Sequence, residues 1–109
     1  MSVDIAGFEK RAEILKAMAN TARLVIIDTL SGGDRAVSEL TEIVNLDIST
    51  VSRHLLALRN AGIVTSKRDG NRIIYSLCTP CVLNFMSCVE KVIAHKANSS
   101  LKTVHAGSA

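Results

Sequence analysis

Residues 36–64, AVSELTEIVNLDISTVSRHLLALRNAGIV, constrain the fold more than any other stretch. Apolar residues recur at helical spacing on both sides of a break after Val44, which predicts a helix from about Val37 to Val44. A second helix follows, capped by Asp47 and stopped by Asn60 and Gly62. Val51, Leu55 and Leu58 face one side of this second helix, while Ser49, Thr50, Ser52, Arg53 and His54 crowd its N-terminal end. That is the layout of a helix-turn-helix, whose second helix enters the major groove of DNA. Short polar residues let such a helix approach base edges, its free N–H groups favour phosphate, and Arg53 can give paired hydrogen bonds to guanine. Polar residues on one helix face alone more often mean a solvated surface. Here the preceding helix and the flanking charge favour a reader of DNA.

From Ile63 the apolar period switches to two and β-branched residues appear, with Asp69-Gly70 as a hairpin turn between strands near Ile63–Arg68 and Arg72–Leu77. Residues 53–72 hold Arg53, Arg59, Lys67, Arg68 and Arg72 against Asp69 alone, a local balance of +4 in a chain whose net charge is +3. Lys67, Arg68 and Arg72 would project from the hairpin tip toward phosphates or the minor groove, supplying affinity more than specificity. Without a preceding recognition helix they would be an ordinary charged turn.

The remaining segments read as scaffold. Ile5, Phe8, Ala12, Leu15 and Met18 recur at helical spacing in an opening amphipathic helix. Asn20 and Thr21 cap a second helix, TARLVIIDTL, with Leu24, Val25, Ile27 and Leu30 expected inside before Ser31, Gly32 and Gly33 end it. Thr79-Pro80 opens a last helix expected to reach about Ala97. The expected fold is therefore mainly α with a β-hairpin wing, in the order α-α-α-α-β-β-α. One domain over residues 1–98 is followed by a flexible tail, 99–109. With 48% hydrophobic residues but only 3% aromatics, the core must be aliphatic, and a base-stacking surface for single strands or RNA is not expected. MSVDIAGFEKR carries no secretory signal and no run of apolar residues is long enough to span a membrane, so a cytoplasmic, membrane-free chain is expected.

Cys78, Cys81 and Cys88 are the chain's three cysteines, and in such a compartment they are expected to be reduced thiols. Cys81 and Cys88 share a helix face but lie about 10 Å apart along the axis. Sulfurs around one soft ion must lie within about 4 Å of each other, so one chain cannot join both at one ion. Cys78 and Cys81 can converge, and Cys88 from a second subunit is the simplest third ligand if the last helices pack antiparallel. Three thiolates suit soft, three-coordinate ions. Cys81, where a helix N-terminus favours an anion, is the expected reactive thiol, whereas Cys88, between Phe85 and Val92, could be plain core. His54 has no neighbour at metal-ligand spacing, a lone His95 on a helix is seldom a ligand, and His105 carries no signal. Cys78-x-x-Cys81 also fits a redox pattern, but the surroundings of a thioredoxin-like enzyme are missing, and no enzyme is expected.

Three blocks of the sequence, ILKAMANTARLVIIDTL, VSELTEIVNLDISTVSRHLLALRNAGIV and KRDGNRIIYSL, together resemble the ArsR/SmtB family of winged-helix repressors over residues 11–95. The resemblance implies a homodimer with the first and last helices at its interface. It also implies a recognition helix bearing Ser49, Thr50, Ser52, Arg53 and His54, a wing bearing Lys67, Arg68 and Arg72, and release of palindromic operator DNA when an effector binds. Many arsenic sensors of the family carry Cys-Val-Cys in the third helix; Ala36, Val37, Ser38 and Glu39 stand there in this chain, so that inducer site is absent. Zinc and nickel sensors place Asp and His on the last helix, where this chain has cysteines. Family precedent makes arsenite or antimonite the leading effector, with cadmium, lead or zinc behind, and no cofactor is obligatory. One rival keeps the repressor but uses oxidation or polysulfide linkage of Cys81 and Cys88 between subunits. A rival of another class is a structural zinc-binding interaction module with no DNA role.

Overall fold

The structure, a computed structural model, describes the backbone of residues 2–108 and the side chains of residues 2–99. It divides between Thr79 and Pro80 into two units. In the first unit, α1 (Ile5–Met18) and α2 (Thr21–Ser31) precede a two-residue strand β1 (Arg35–Ala36), then α3 (Val37–Val44), α4 (Ile48–Asn60) and the strands β2 (Val64–Asp69) and β3 (Arg72–Leu77). The second unit holds α5 (Val82–Ser108).

Local chemistry sets most of these boundaries. Asp4 caps α1 by accepting from the Gly7 N–H at 3.1 Å, and Asn20 caps α2 by accepting from the Arg23 N–H at 3.2 Å. Asn45 ends α3 in the left-handed conformation (φ 55°, ψ 46°), with its N–H on the Thr41 carbonyl at 3.0 Å. Asparagine tolerates that conformation, so the chain reverses in three residues and delivers Asp47 to the start of α4.

The core of the first unit is aliphatic, as composition requires. Ile26, Ile27, Leu40, Val51, Leu55 and Leu58 are fully buried, with Leu30, Ile63 and Val64 nearly so. Each such side chain contributes about 1.5 to 3 kcal/mol by leaving water. One expectation within α2 is corrected: Ile26, not Val25, belongs to the buried set, and Val25 is 38% exposed. Ile26 and Leu30 are one helical turn apart and share the inward face with Ile27, which turns Val25 to the rim.

The three strands form one antiparallel sheet in the order β1-β3-β2. β1, absent from the sequence expectation, pairs Arg35 with Tyr75 and Ala36 with Ile74. The hairpin register, Ser66 opposite Tyr75 and Asp69 opposite Arg72, makes Gly70-Asn71 the turn, one residue later than expected. Gly70 takes φ 63° while Asn71 keeps a negative φ, the pattern of a II′ turn with glycine at its first central position.

Pro80 and Cys81 form a tight turn in which the Leu83 N–H reaches the Pro80 carbonyl at 3.0 Å and the Asn84 N–H reaches Cys81 at 3.1 Å. Regular helix begins at Val82, so Cys81 precedes α5 instead of lying in its first turn. The helix passes the expected stop at Ala97 and makes the backbone of residues 99–108 helical where a flexible tail was expected; Ala109 lies outside the described residues. No proline or glycine interrupts the chain between Ala97 and Gly107, so nothing local ends the helix there. Two apolar stripes remain uncovered. Ile5, Phe8 and Leu15 on α1 are 46–60% exposed, and Phe85, Val89, Val92 and Ile93 on α5 are 41–65% exposed.

Candidate nucleic-acid interface

The solvent face of α4 carries Ser49, Ser52, Arg53, Leu56, Arg59 and Asn60, while Val51, Leu55 and Leu58 hold the opposite face in the core. Thr50 and His54 sit between the two faces. The helix is thus fixed by its apolar side and offers its polar side outward, as expected from the spacing.

At its N-terminus, Asp47 organises the first turn. The Ser49 hydroxyl donates to one carboxylate oxygen, the Thr50 hydroxyl donates to the other at 2.5 Å, and the Thr50 N–H reaches the carboxylate at 3.3 Å. These donors, Ser49 first and Thr50 next, lower the Asp47 pKa from 3.8 to about 2. With their protons committed to Asp47, the Ser49 and Thr50 hydroxyls have only lone pairs left for a further partner. Lone pairs accept from base-edge amino groups but cannot bind a phosphate, which is itself an acceptor.

His54 is held from behind. The Arg23 guanidinium donates Nε–H to His54 Nδ1 at 3.0 Å and Nη1–H to the Ala17 carbonyl at 3.1 Å, tying the end of α1, the start of α2 and the middle of α4 together. Burial, then the charges of Arg23 and Arg53, lower the His54 pKa and favour the neutral ring, with its proton on Nε2. Only that nitrogen is left to face outward. Arg53 has no ion-pair partner among the described residues, and its charge is available to DNA.

On the hairpin, Lys67 and Arg68 are exposed and unpaired among the described residues, whereas Arg72 is engaged: its Nη2 lies 2.7 Å from Glu39 Oε1 on α3. The same Glu39 oxygen accepts from the Ala36 N–H at 3.2 Å. An exposed ion pair of this kind contributes at most about 1 kcal/mol, so Arg72 can exchange Glu39 for a phosphate. Arg59, one of the cations counted in the basic stretch but not assigned a role, donates to the Ser66 hydroxyl at 3.1 Å and joins α4 to β2. Its position i+7 from Ser52 on the solvent face was the available signal.

Cys78 follows β3, with its N–H on the Ile63 carbonyl at 2.9 Å, and Cys81 and Cys88 lie in the second unit. All three are exposed free thiols. Cys81, Phe85, Cys88 and Val92 fall at helical spacing on one stripe. Among the described residues of one chain, no three His, Cys, Asp or Glu side chains come together as a metal site.

A three-stranded wing beside a helix-turn-helix, with cations displayed on both, defines a winged helix-turn-helix DNA-binding domain. The family model of bacterial regulatory proteins of the arsR type matches residues 20–66. The HTH-type transcriptional regulator Rv0081 of Mycobacterium tuberculosis is 39% identical over 88 residues, which span 80% of this chain and 77% of the relative. Its crystal structure matches with a TM-score of 0.78 over 92% of this chain and 99% of that one. The HTH-type regulator YgaV of Escherichia coli is 38% identical over 80% of this chain and 89% of the relative. The homodimeric winged helix-turn-helix domain Mb0332 of Mycobacterium bovis matches at 30% identity with a TM-score of 0.75, over 90% and 93% of the two chains. The protein belongs to the ArsR/SmtB family: it is a DNA-binding transcriptional repressor and not an enzyme. No helix among its described residues is long and apolar enough to cross a membrane.

Proposed function

We infer that this repressor acts as a homodimer on a palindromic operator and that thiol chemistry at Cys78, Cys81 and Cys88 governs its grip, with arsenite or antimonite as effector and cadmium, lead or zinc as lesser ones. The observation that carries this reading is the exposure of all three thiols, with Cys88 in an uncovered apolar stripe of α5 and Cys81 just before that helix. Uncovered stripes on α1 and α5 favour pairing of two copies through these helices, in keeping with the homodimeric M. bovis relative. Cys81 stands one residue before α5 and Cys88 seven residues on, a rise of about 10 Å at helical pitch. A soft ion bonded at about 2.3 Å therefore draws its thiolates from two copies, with Cys78 as the third donor close in sequence.

Repression is relieved because the loaded dimer prefers a conformation that fits DNA poorly. A coupling of about 1 to 3 kcal/mol changes DNA affinity about 5- to 150-fold. In the recognition step, Arg53 reads a base edge, the remaining lone pairs of Ser49 and Thr50 and the short Ser52 lie against the groove floor, and Lys67, Arg68 and Arg72 hold phosphates. His54 sets the position of α4 through Arg23 and offers Nε2–H to DNA.

A second reading is favoured by the same exposed thiols: two Cys side chains from opposite copies give up two electrons and two protons to a peroxide, yielding a disulfide and water. Fluorescence anisotropy on the DNA upstream of the protein's own reading frame separates the two. Release by arsenite, reversed by a competing dithiol, supports the ion reading; release by peroxide alone supports oxidation. DNA that stays bound through both treatments overturns both.

A further inference from the structure

We propose that the groove between the C-terminal end of α4 and the hairpin is a seat for the sugar-phosphate backbone of duplex DNA, with Arg59 as its central phosphate ligand. This deepens the reading of the chain as a duplex-binding repressor and rests on it. The groove encloses about 280 Å³ and is lined by Arg59, Ser66, Lys67, Arg68, Ile73 and Tyr75. Arg59 and Arg68 are the cations on its face, Lys67 alternates to the other face of β2, and none of the six residues is acidic. Another hairpin cation, Arg72, is turned to Glu39 and leaves the groove to Arg59 and Arg68.

The composition of the groove matches one chemistry. A nucleic-acid backbone alternates an anion with an apolar sugar, and the groove sets Arg59 and Arg68 beside the half-exposed Ile73, with Tyr75 largely buried. The cross-strand register explains how. Ser66 lies opposite Tyr75 and Arg68 opposite Ile73, so these four side chains share one face of the hairpin, toward which Arg59 reaches from the helix. Its bond to Ser66 uses one guanidinium N–H and holds the fork in place, leaving other N–H groups for a phosphate. Arg59 also lies on the same side of α4 as Ser52, about 10 Å further along the axis. A duplex that takes the N-terminal end of α4 into its groove therefore runs on toward this seat.

The test compares wild type, Arg59→Gln, Arg59→Lys and Ser66→Ala on two labelled duplexes, the protein's own upstream DNA and a random sequence, across a range of chloride concentrations. Circular dichroism melts confirm that the variants fold. One lost phosphate contact per subunit lowers the salt slope of the dimer by about 1.8, so Arg59→Gln should lose about 12-fold less affinity than wild type between about 50 and about 200 mM salt. The loss appears on both duplexes, because a backbone contact carries no sequence information. Arg59→Lys keeps most of the slope, and Ser66→Ala weakens binding less than Arg59→Gln. A folded Arg59→Gln with the wild-type slope overturns the seat while leaving the repressor reading intact. Wild type that binds neither duplex overturns both. Inorganic phosphate that displaces DNA no better than chloride of equal ionic strength supports a backbone occupant. If Arg59→Gln leaves DNA binding unchanged but abolishes a specific phosphate effect, the groove holds a free anion and the backbone assignment fails.

Discussion

The link from Arg23 to His54 is the most exacting test of how the recognition helix is held. Arg23 bonds across 31 residues to His54 Nδ1 and back to the Ala17 carbonyl, so two side chains and one peptide group fix α4 relative to α1 and α2. A bond from a charged donor contributes about 1.5 to 3 kcal/mol, and because this pair is only half-buried the lower part of that range applies. A double-mutant cycle of Arg23→Ala and His54→Ala, followed by urea unfolding at about pH 7.5, should give a coupling of about 1 to 2 kcal/mol. The sign with pH follows from the lowered His54 pKa. The unfolded chain takes up a proton near the ordinary value of 6.5 and the folded chain only at lower pH, so the unfolded state binds more protons in between. The stability contributed by neutral His54 is thus fully present above about pH 6.5 and is lost as pH falls toward the folded value. Wild type should lose stability more steeply than His54→Asn between about pH 7 and about pH 5. A coupling below about 0.3 kcal/mol, or parallel pH profiles, would refute the link.

Other perturbations bear on separate parts of the account. Arg53→Ala should cost about 1 to 3 kcal/mol of operator affinity and relax base preference at one position, as measured by binding to a set of singly substituted duplexes. Leu55→Ala, at a fully buried position, should lower unfolding free energy by about 2 to 5 kcal/mol in urea titrations. Asp47→Asn should flatten the acid limb of the stability profile, because the Asp47 contribution is present above 3.8 and disappears as pH falls to about 2. Phe8→Glu or Ile93→Glu, within the uncovered stripes, should shift the protein to monomer in sedimentation velocity and abolish operator binding without lowering helix content.

What could be read from sequence was what short-range chemistry decides. The α3-turn-α4 unit announces itself in Asp47 as a cap and in the spacing of Val51, Leu55 and Leu58, all of which act within a few residues. The hairpin was legible from its alternation and glycine, although the turn slid by one residue because Asp69 pairs with Arg72 instead of leading the reversal. What was hidden depends on distant partners. β1 is two residues long and exists only because β3 passes beside it, Tyr75 lying 40 residues after Arg35 and Ile74 38 residues after Ala36. The engagement of Arg72 by Glu39 and of His54 by Arg23 likewise spans 33 and 31 residues. No local pattern encodes such pairs. The stripes on α1 and α5 were legible as apolar faces, and their exposure is what the proposed pairing of two copies rests on.

The thiols remain the decisive element of the regulatory reading. Anisotropy of labelled upstream DNA should be measured during arsenite titration of reduced wild type and of the variant carrying Cys78→Ser, Cys81→Ser and Cys88→Ser. The account predicts that both bind equally in the absence of arsenite and that only wild type lets go, with affinity falling about 5- to 150-fold. Equal release from both proteins would contradict it.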